Sequence, residues 1–191
     1  MPAAPRPETT VLETERLFLR ELHPSDVDVL AEILGDVETM RFYPHPKSRE
    51  ETLAWIEWSQ RSYADHGFGL WGMVLKEDGN LIGDCGLTVQ DVDGESFVEV
   101  GYHLDKRYWH RGFAAEAALA CRDHAFEAVG VDRLIALIRP ENEPSWRLAE
   151  HLGLRVWRNT ERGRVPHAVY SLTRLDWRSV RGPSPGERLR S

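Results

Sequence analysis

The sequence predicts a mixed α/β domain built on a mostly antiparallel sheet. Three observations carry this. The apolar period changes from 3.6 to 2 at Phe68, three strand-like runs then follow in succession, and only after them does a long helical run, Ala114–Val129, begin. Val11–Leu22 alternates Leu17 and Leu19, with Val11, against charged neighbours, as a half-buried strand does. Pro24 opens a helical run, PSDVDVLAEILGD, with Val27, Leu30, Ile33 and Leu34 on one face and Gly35 as its stop. Ser48 and Glu51 form a capping box ahead of a second helix that carries Leu53, Trp55, Ile56 and Tyr63 and ends at Gly67.

Phe68–Lys76 and Leu81–Gln90, joined by the turn Glu77-Asp78-Gly79-Asn80, read as a hairpin, and Phe97–Leu104 is the next strand. The long helix places Ala117, Ala118, Cys121, Ala125, Phe126 and Val129 on one stripe, small enough for close approach to a sheet. Arg133–Ile138 is strand-like, Pro144–Leu152 is a short helix before Gly153, and Leu154–Thr160 and His167–Leu175 are closing strands. The reading gives about seven strands in the order β α α β β β α β α β β.

The chain has 191 residues, of which 41% are hydrophobic, enough for one core and one domain. Residues 1–10 and 179–191 read as flexible tails and 11–178 as a single domain. With 24 Lys+Arg against 31 Asp+Glu the net charge is −7, which repels nucleic acid and leaves a basic face to local geometry. No apolar run approaches the ~20 residues of a membrane span and the N-terminus has no signal core, so a cytoplasmic protein without membrane contact is expected. Cys85 and Cys121 match no metal-ligand spacing and read as buried small hydrophobes; the eight histidines show no ligand spacing either, so no metal is expected.

The chemistry lies in a strand, loop and helix: Val98-Glu99-Val100-Gly101-Tyr102-His103-Leu104, then Asp105–Arg111, then Gly112-Phe113-Ala114-Ala115-Glu116. A glycine and small residues at a helix start leave first-turn N–H groups open to an anion such as a pyrophosphate. Alone, such a glycine is more often plain punctuation. Some thirty residues on come Asn142-x-x-Ser145 and the closing His151-Leu152-Gly153-Leu154.

With the strand EVGYHL, the Gly112/Ala114 turn, Asn142/Ser145 and HLGL together, the chain resembles the GCN5-related N-acetyltransferases (GNAT). Its opening ETERLFLRELHPSD resembles in particular the ribosomal-protein alanine N-acetyltransferase branch. The resemblance covers most of the chain. It implies an acetyl-CoA co-substrate, an amine acceptor, and a sheet splayed between the fourth and fifth strands, with the pantetheine arm lying in the gap. It further implies that backbone groups of Tyr102, His103 and Leu104 meet the pantetheine, that Trp109, His110, Arg111, Gly112, Phe113 and Ala114 hold the pyrophosphate, and that Asn142 bonds the arm. Trp109 stands where the family has Gln or Arg, and His110 where glycine is frequent. Arg107 and Arg111 flank the loop as candidate phosphate partners, with solvated surface arginine the equal alternative. A homodimer is left open.

The acceptor amine must be neutral to attack a thioester. An amine of pKa about 10.4 is neutral in roughly one part in a thousand at pH 7, and one of about 8 in roughly a tenth. Glu99, between Val98 and Val100, is the candidate general base, directly or through a water, with a solvated strand residue or a clamp on the substrate ammonium as the alternatives. The leaving thiolate, with a thiol pKa about 8.5, needs only a hydrogen bond. Many members of the family it resembles supply a tyrosine for that role; 144–153 holds none, and the resemblance to the alanine branch implies Ser145, a helix cap being its bland alternative. The function expected is transfer of acetyl from CoA to a primary amine of a protein N-terminus or small molecule; a non-catalytic acyl-CoA sensor on the same fold is the alternative.

Overall fold

The computed structural model describes residues 4–181; the ends of both expected tails, residues 1–3 and 182–191, lie outside the described residues. The chain forms two compact units, one of the residues up to Thr88 with Val100–Cys121, the other of Val89–Glu99 with Arg122 onward.

In the first unit, β1 (Thr10–Glu13) and β2 (Leu17–Arg20) pair antiparallel, with Leu12 opposite Leu19. This corrects the expectation of one strand over Val11–Leu22 and raises the count from seven to eight. The reason is Thr14: its N–H donates to Leu17 O at 3.0 Å and its hydroxyl oxygen accepts Leu17 N–H at 3.1 Å, closing a turn that charged Glu15 and Arg16 had disguised. A 3-10 turn, Pro24–Asp26, precedes α1 (Val27–Leu34), which buries Val27, Leu30, Ile33 and Leu34 and stops at Gly35 as expected. The helix α2 (Arg49–His66) has the foreseen capping box, and Gly67 ends it at φ 75°, a conformation that suits glycine.

The buried face of α2 differs from the apolar one expected. Thr52, Ile56, Ser59 and Ser62 are buried while Leu53 and Trp55 are only partly so. The hydroxyls escape the usual cost of burial because each has a carbonyl to bond: Thr52 to Ser48 O (2.8 Å), Ser59 to Trp55 O (3.1 Å) and Ser62 to Phe68 O (2.7 Å). Ile56 joins Leu22, Val27, Leu30, Leu34 and Met40 in the core between α1 and α2.

The strand β3 (Leu70–Leu75) pairs with β2 and with β4 (Leu81–Val92), both antiparallel. Next come β5 (Glu95–Leu104), α3 (Phe113–His124) and a π turn, Ala125–Val129, ended by Gly130 at φ 85°. The expected stripe of α3 is buried at Ala117, Ala118, Cys121, Ala125 and Phe126. Both cysteines are buried, their sulfurs 3.6 Å apart, and burial pushes the Cys85 thiol well up, which keeps it protonated.

The second unit carries β6 (Arg133–Ile138), α4 (Glu143–His151), β7 (Arg155–Arg162), β8 (Val165–Thr173) and α5 (Arg174–Arg181), a closing helix absent from the expected order. Trp177 of α5 is buried against Phe126, ring centroids 5.0 Å apart, with its indole N–H on Asp123 at 2.8 Å. Strand order is β1-β2-β3-β4-β5-β6-β8-β7, antiparallel in β1-β2-β3-β4 and again in β6-β8-β7, and parallel between β5 and β6. No helix of the described residues is long and apolar enough to cross a membrane.

Ile56 has no solvent exposure. Ile56→Ala leaves a cavity between α1 and α2 and is expected to cost about 2–5 kcal/mol. In thermal unfolding this lowers Tm by roughly 2–4 °C per kcal/mol, with the denaturant m-value unchanged.

Candidate active site

The loop between β5 and α3 is shaped by its own backbone. Asp105 caps a 3-10 turn, Lys106–Tyr108, by accepting Arg107 N–H at 2.8 Å. Two residues then take left-handed conformations, His110 at φ 58° and Gly112 at φ 81°. That explains why glycine is frequent at the first of these places: a side chain is tolerated there but disfavoured. The first helical bond of α3 runs from Glu116 N–H to Gly112 O at 3.0 Å, so the amides of 113–115 stand at the open end of the helix.

Arg16, which sequence reasoning missed, sits at this loop. Its guanidinium donates to Arg111 O at 2.9 Å and lies 4.3 Å from the Phe113 ring centroid. A Cβ built on Gly112 would come within 3.3 Å of Arg16 Nη2, so the bare backbone and the guanidinium face each other closely. The anchor is Glu116, which accepts Thr14 hydroxyl (2.6 Å), Arg16 N–H (2.7 Å) and Arg16 Nε–H (2.6 Å). Burial acts to raise the Glu116 carboxyl, but these donors outweigh it and hold it below the ordinary carboxylate range. The signal in the sequence was only a Thr-x-Arg in a strand, a hundred residues from its partner.

The two expected phosphate arginines separate. Arg107 folds back on Asp105, its Nε–H at 2.7 Å from the carboxylate, so its charge is already matched. Arg111 stacks over Phe113 (5.0 Å) and Tyr108 (5.5 Å), and among the described residues no carboxylate lies at ion-pair distance from it. Lys106 reaches Asp36 at 2.5 Å and pushes that carboxyl down to about 2. Trp109, the departure from the family pattern, donates its indole N–H to Leu104 O at 2.8 Å and so ties the loop to the end of β5. A turn with bare backbone, open helix amides and two nearby guanidinium groups is a donor set suited to phosphate oxygens.

His103 and Tyr102 lie on β5 in the same unit. The His103 backbone belongs to the expected pantetheine strand, but its side chain is buried on Asp84, Nδ1 to Oδ1 2.7 Å. Nothing in the sequence pattern linked these two residues.

In the second unit, Val98 and Glu99 of β5 lie opposite Leu134 and Ile135 of β6. Two residues on, the Leu137 N–H donates to Glu99 Oε1 at 2.9 Å, where a continuous ladder would offer a backbone carbonyl. Asn142 caps α4: its Oδ1 accepts Ser145 N–H at 3.3 Å. The capping role weighed for Ser145 thus falls to Asn142, with Ser145 as the capped residue.

A family description, the GNAT acetyltransferase domain, matches residues 16–155. The chain belongs to the GNAT acetyltransferase family. YkkB of Bacillus subtilis (strain 168), an uncharacterised protein, is 34% identical over 162 residues, covering 84% of this chain and 94% of YkkB. Among solved structures, the ribosomal-protein-S5-alanine acetyltransferase of Vibrio fischeri is 21% identical, with TM-score 0.66, covering 87% of this GNAT chain and 98% of its own. The aminoglycoside acetyltransferase AAC(6′)-Ib in complex with coenzyme A is 16% identical, with TM-score 0.73, covering 86% and 98%. At these identities the two structures show the shared GNAT fold.

Because the folded Glu116 carboxyl is held below its ordinary value of 4.5, its ionised form favours the fold. That contribution is present above pH 4.5 and is lost as the pH falls through the lower folded value. Glu116→Gln removes it, so the variant is less stable than wild type near neutrality and the gap narrows on acidification, as denaturation midpoints against pH will read. Gly112→Ala places a side chain at φ 81° and is expected to cost about 1–2 kcal/mol by the same measurement.

Proposed function

We propose that this protein transfers the acetyl group of acetyl-CoA directly to a primary amine, on a protein N-terminus or a small molecule. The observation that carries the reading is the loop His110–Ala114, with its left-handed turn, open helix amides and the Arg16 and Arg111 guanidinium groups, on a chain of the GNAT family. The coenzyme A complex of AAC(6′)-Ib, a protein of the same fold, supports the same ligand. The two structural relatives named above are an aminoglycoside acetyltransferase and a ribosomal-protein-S5-alanine acetyltransferase, which supports an amine as the acceptor.

In this reading Tyr102, His103 and Leu104 offer backbone groups to the pantetheine arm, and Asn142 contacts it from α4. Trp109, His110, Arg111, Gly112, Phe113 and Ala114 form the pyrophosphate cradle, with Arg107 at its margin. Glu99, whose Oε1 is held by Leu137 N–H, engages the acceptor ammonium, and Ser145 gives a hydrogen bond to the departing thiolate. The new C–N bond forms as the C–S bond breaks; of the two protons the nitrogen loses, one goes to the sulfur and the other to solvent.

Isothermal titration with acetyl-CoA and CoA, followed by thiol release over a panel of primary amines, tests this. The expected outcome is micromolar-range cofactor binding and turnover with at least one amine. Absence of cofactor binding overturns it, and binding with no turnover favours an acyl-CoA sensor. Glu99→Gln is expected to raise KM for the amine about tenfold or more with a smaller fall in kcat, and Ser145→Ala to lower kcat by about tenfold. A Glu99→Gln enzyme with unaltered KM would remove that residue from amine binding.

A further inference from the structure

Among the described residues, one of the buried polar atoms without a hydrogen-bond partner lies where chemistry could use it. Asp84 of β4 has no solvent exposure, and its carboxylate is held from two sides: Oδ2 accepts Trp55 Nε1–H at 2.9 Å and Oδ1 lies 2.7 Å from His103 Nδ1. The Asp84 bond assigns the Nδ1 proton, which leaves Nε2 as the second ring nitrogen. The His103 side chain is 5% exposed, and its Nε2 is buried with no hydrogen-bond partner.

A histidine kept only for packing would not be expected in this state. The Trp55 indole and the Asp84 carboxylate are both committed to fixing the imidazole, and the atom they fix is the one left unsatisfied, which costs free energy. The arrangement follows the logic by which a carboxylate selects a tautomer and orients a proton-accepting imidazole.

The surroundings define the ligand. The His103 ring lies 5.0 Å from that of Tyr43 and 5.8 Å from that of Trp55, and Trp58 stacks 5.0 Å from Trp55. Tyr43 is 41% exposed, so the cluster reaches the surface at that ring. The Lys47 ammonium already sits 4.6 Å over the Trp55 ring, showing that this aromatic surface takes an ammonium. Of the charged or titratable groups in this cluster, Asp84 from β4 bonds the imidazole, Tyr43 lies against it, and Lys47 lies over the Trp55 ring.

We propose that His103 Nε2, oriented by Asp84, is the proton acceptor for the substrate amine, and that Tyr43, Trp55 and Trp58 form the aromatic wall that receives it. This rests on the acetyl-transfer reading above and deepens it. An alkylammonium, R–NH3⁺, gives one proton to Nε2, leaving R–NH2 and an imidazolium paired with the Asp84 carboxylate. The amine lone pair then attacks the thioester carbonyl, the C–S bond breaks, and the thiolate takes the second proton from nitrogen. The imidazolium returns its proton to solvent. His103 is the catalytic residue, and Asp84 and Trp55 are positioning residues.

The first test needs no turnover. Protein labelled with 15N is titrated with n-butylammonium chloride, reading the His103 ring nitrogens and the Trp55 indole N–H by NMR. Saturable shifts of both are expected, with the Trp55 shift lost or weakened at least tenfold in His103→Asn, which keeps a donor for Asp84 but has no Nε2. No saturable shift in wild type, or an unchanged Trp55 titration in His103→Asn, overturns the proposal.

The second test uses an amine that turns over in the panel. His103→Asn and His103→Gln are expected to lower kcat at least 30-fold with the acetyl-CoA Kd within threefold of wild type, and free imidazole to restore part of the rate in His103→Ala. Thermal midpoints show that each variant folds. A His103→Asn enzyme with wild-type kcat, or no imidazole rescue, removes the histidine from proton transfer. Failure of wild type to bind acetyl-CoA brings down the acetyl-transfer reading instead, and the amine titration reads independently of it.

Discussion

A carboxylate with no access to water organises the first unit. Asp84 of β4 takes one donor from α2 and one from β5, so a single side chain fixes the helix and the neighbouring strand to each other through Trp55 and His103. Burying a carboxylate is unfavourable unless its oxygens are bonded, and here both are. Removing either donor would leave the other bond to carry the whole compensation. The polar, hydroxyl-rich buried face of α2 fits the same constraint: Thr52, Ser59 and Ser62 return their hydroxyls to nearby carbonyls, so α2 can lie against the core with few large apolar side chains.

A second carboxylate does comparable work at the loop. Glu116 gathers a hydroxyl, a backbone N–H and a guanidinium from the turn between β1 and β2, and through Arg16 it reaches the Arg111 carbonyl. The chain's net charge of −7 says nothing of this place. Locally, Arg107 is matched by Asp105, Arg16 by Glu116, and Arg111 stacks on aromatic rings. Positive potential at the cradle therefore comes from peptide N–H groups and from Arg111, which among the described residues has no carboxylate at ion-pair distance, and these act over a few ångströms, independent of the overall field.

What the sequence made legible was local. The Ser48–Glu51 box and the stops at Gly35 and Gly67 each depend on residues three or four apart, so their chemistry can be read from adjacency alone. The small-residue stripe of α3 was equally readable, since its period needs no partner to be seen. The β1–β2 turn was hidden because Thr14 closes it with backbone bonds that leave no apolar signature. Arg16 with Glu116 and Asp84 with His103 were hidden for a different reason: 100 and 19 residues separate the partners, and only the folded register brings them together. In the candidate site the loop was visible, while the cap, weighed for Ser145 and made by Asn142, and the side chains that anchor the loop were not.

The two departures from the family pattern have physical readings that bear on each other. At the place of Gln or Arg, Trp109 does not make the side-chain contact those residues would make, but its indole N–H on Leu104 O ties the loop to the strand it leaves. A loop so tied can hold His110 in the left-handed region, which a free loop would abandon for a less crowded conformation. A side-chain donor near the same turn comes instead from Arg16, whose guanidinium reaches the Arg111 carbonyl from the β1–β2 turn. The tie to β5 and the side-chain donor at the turn are here divided between Trp109 and Arg16, so substituting either should disturb only one of the two properties of the loop.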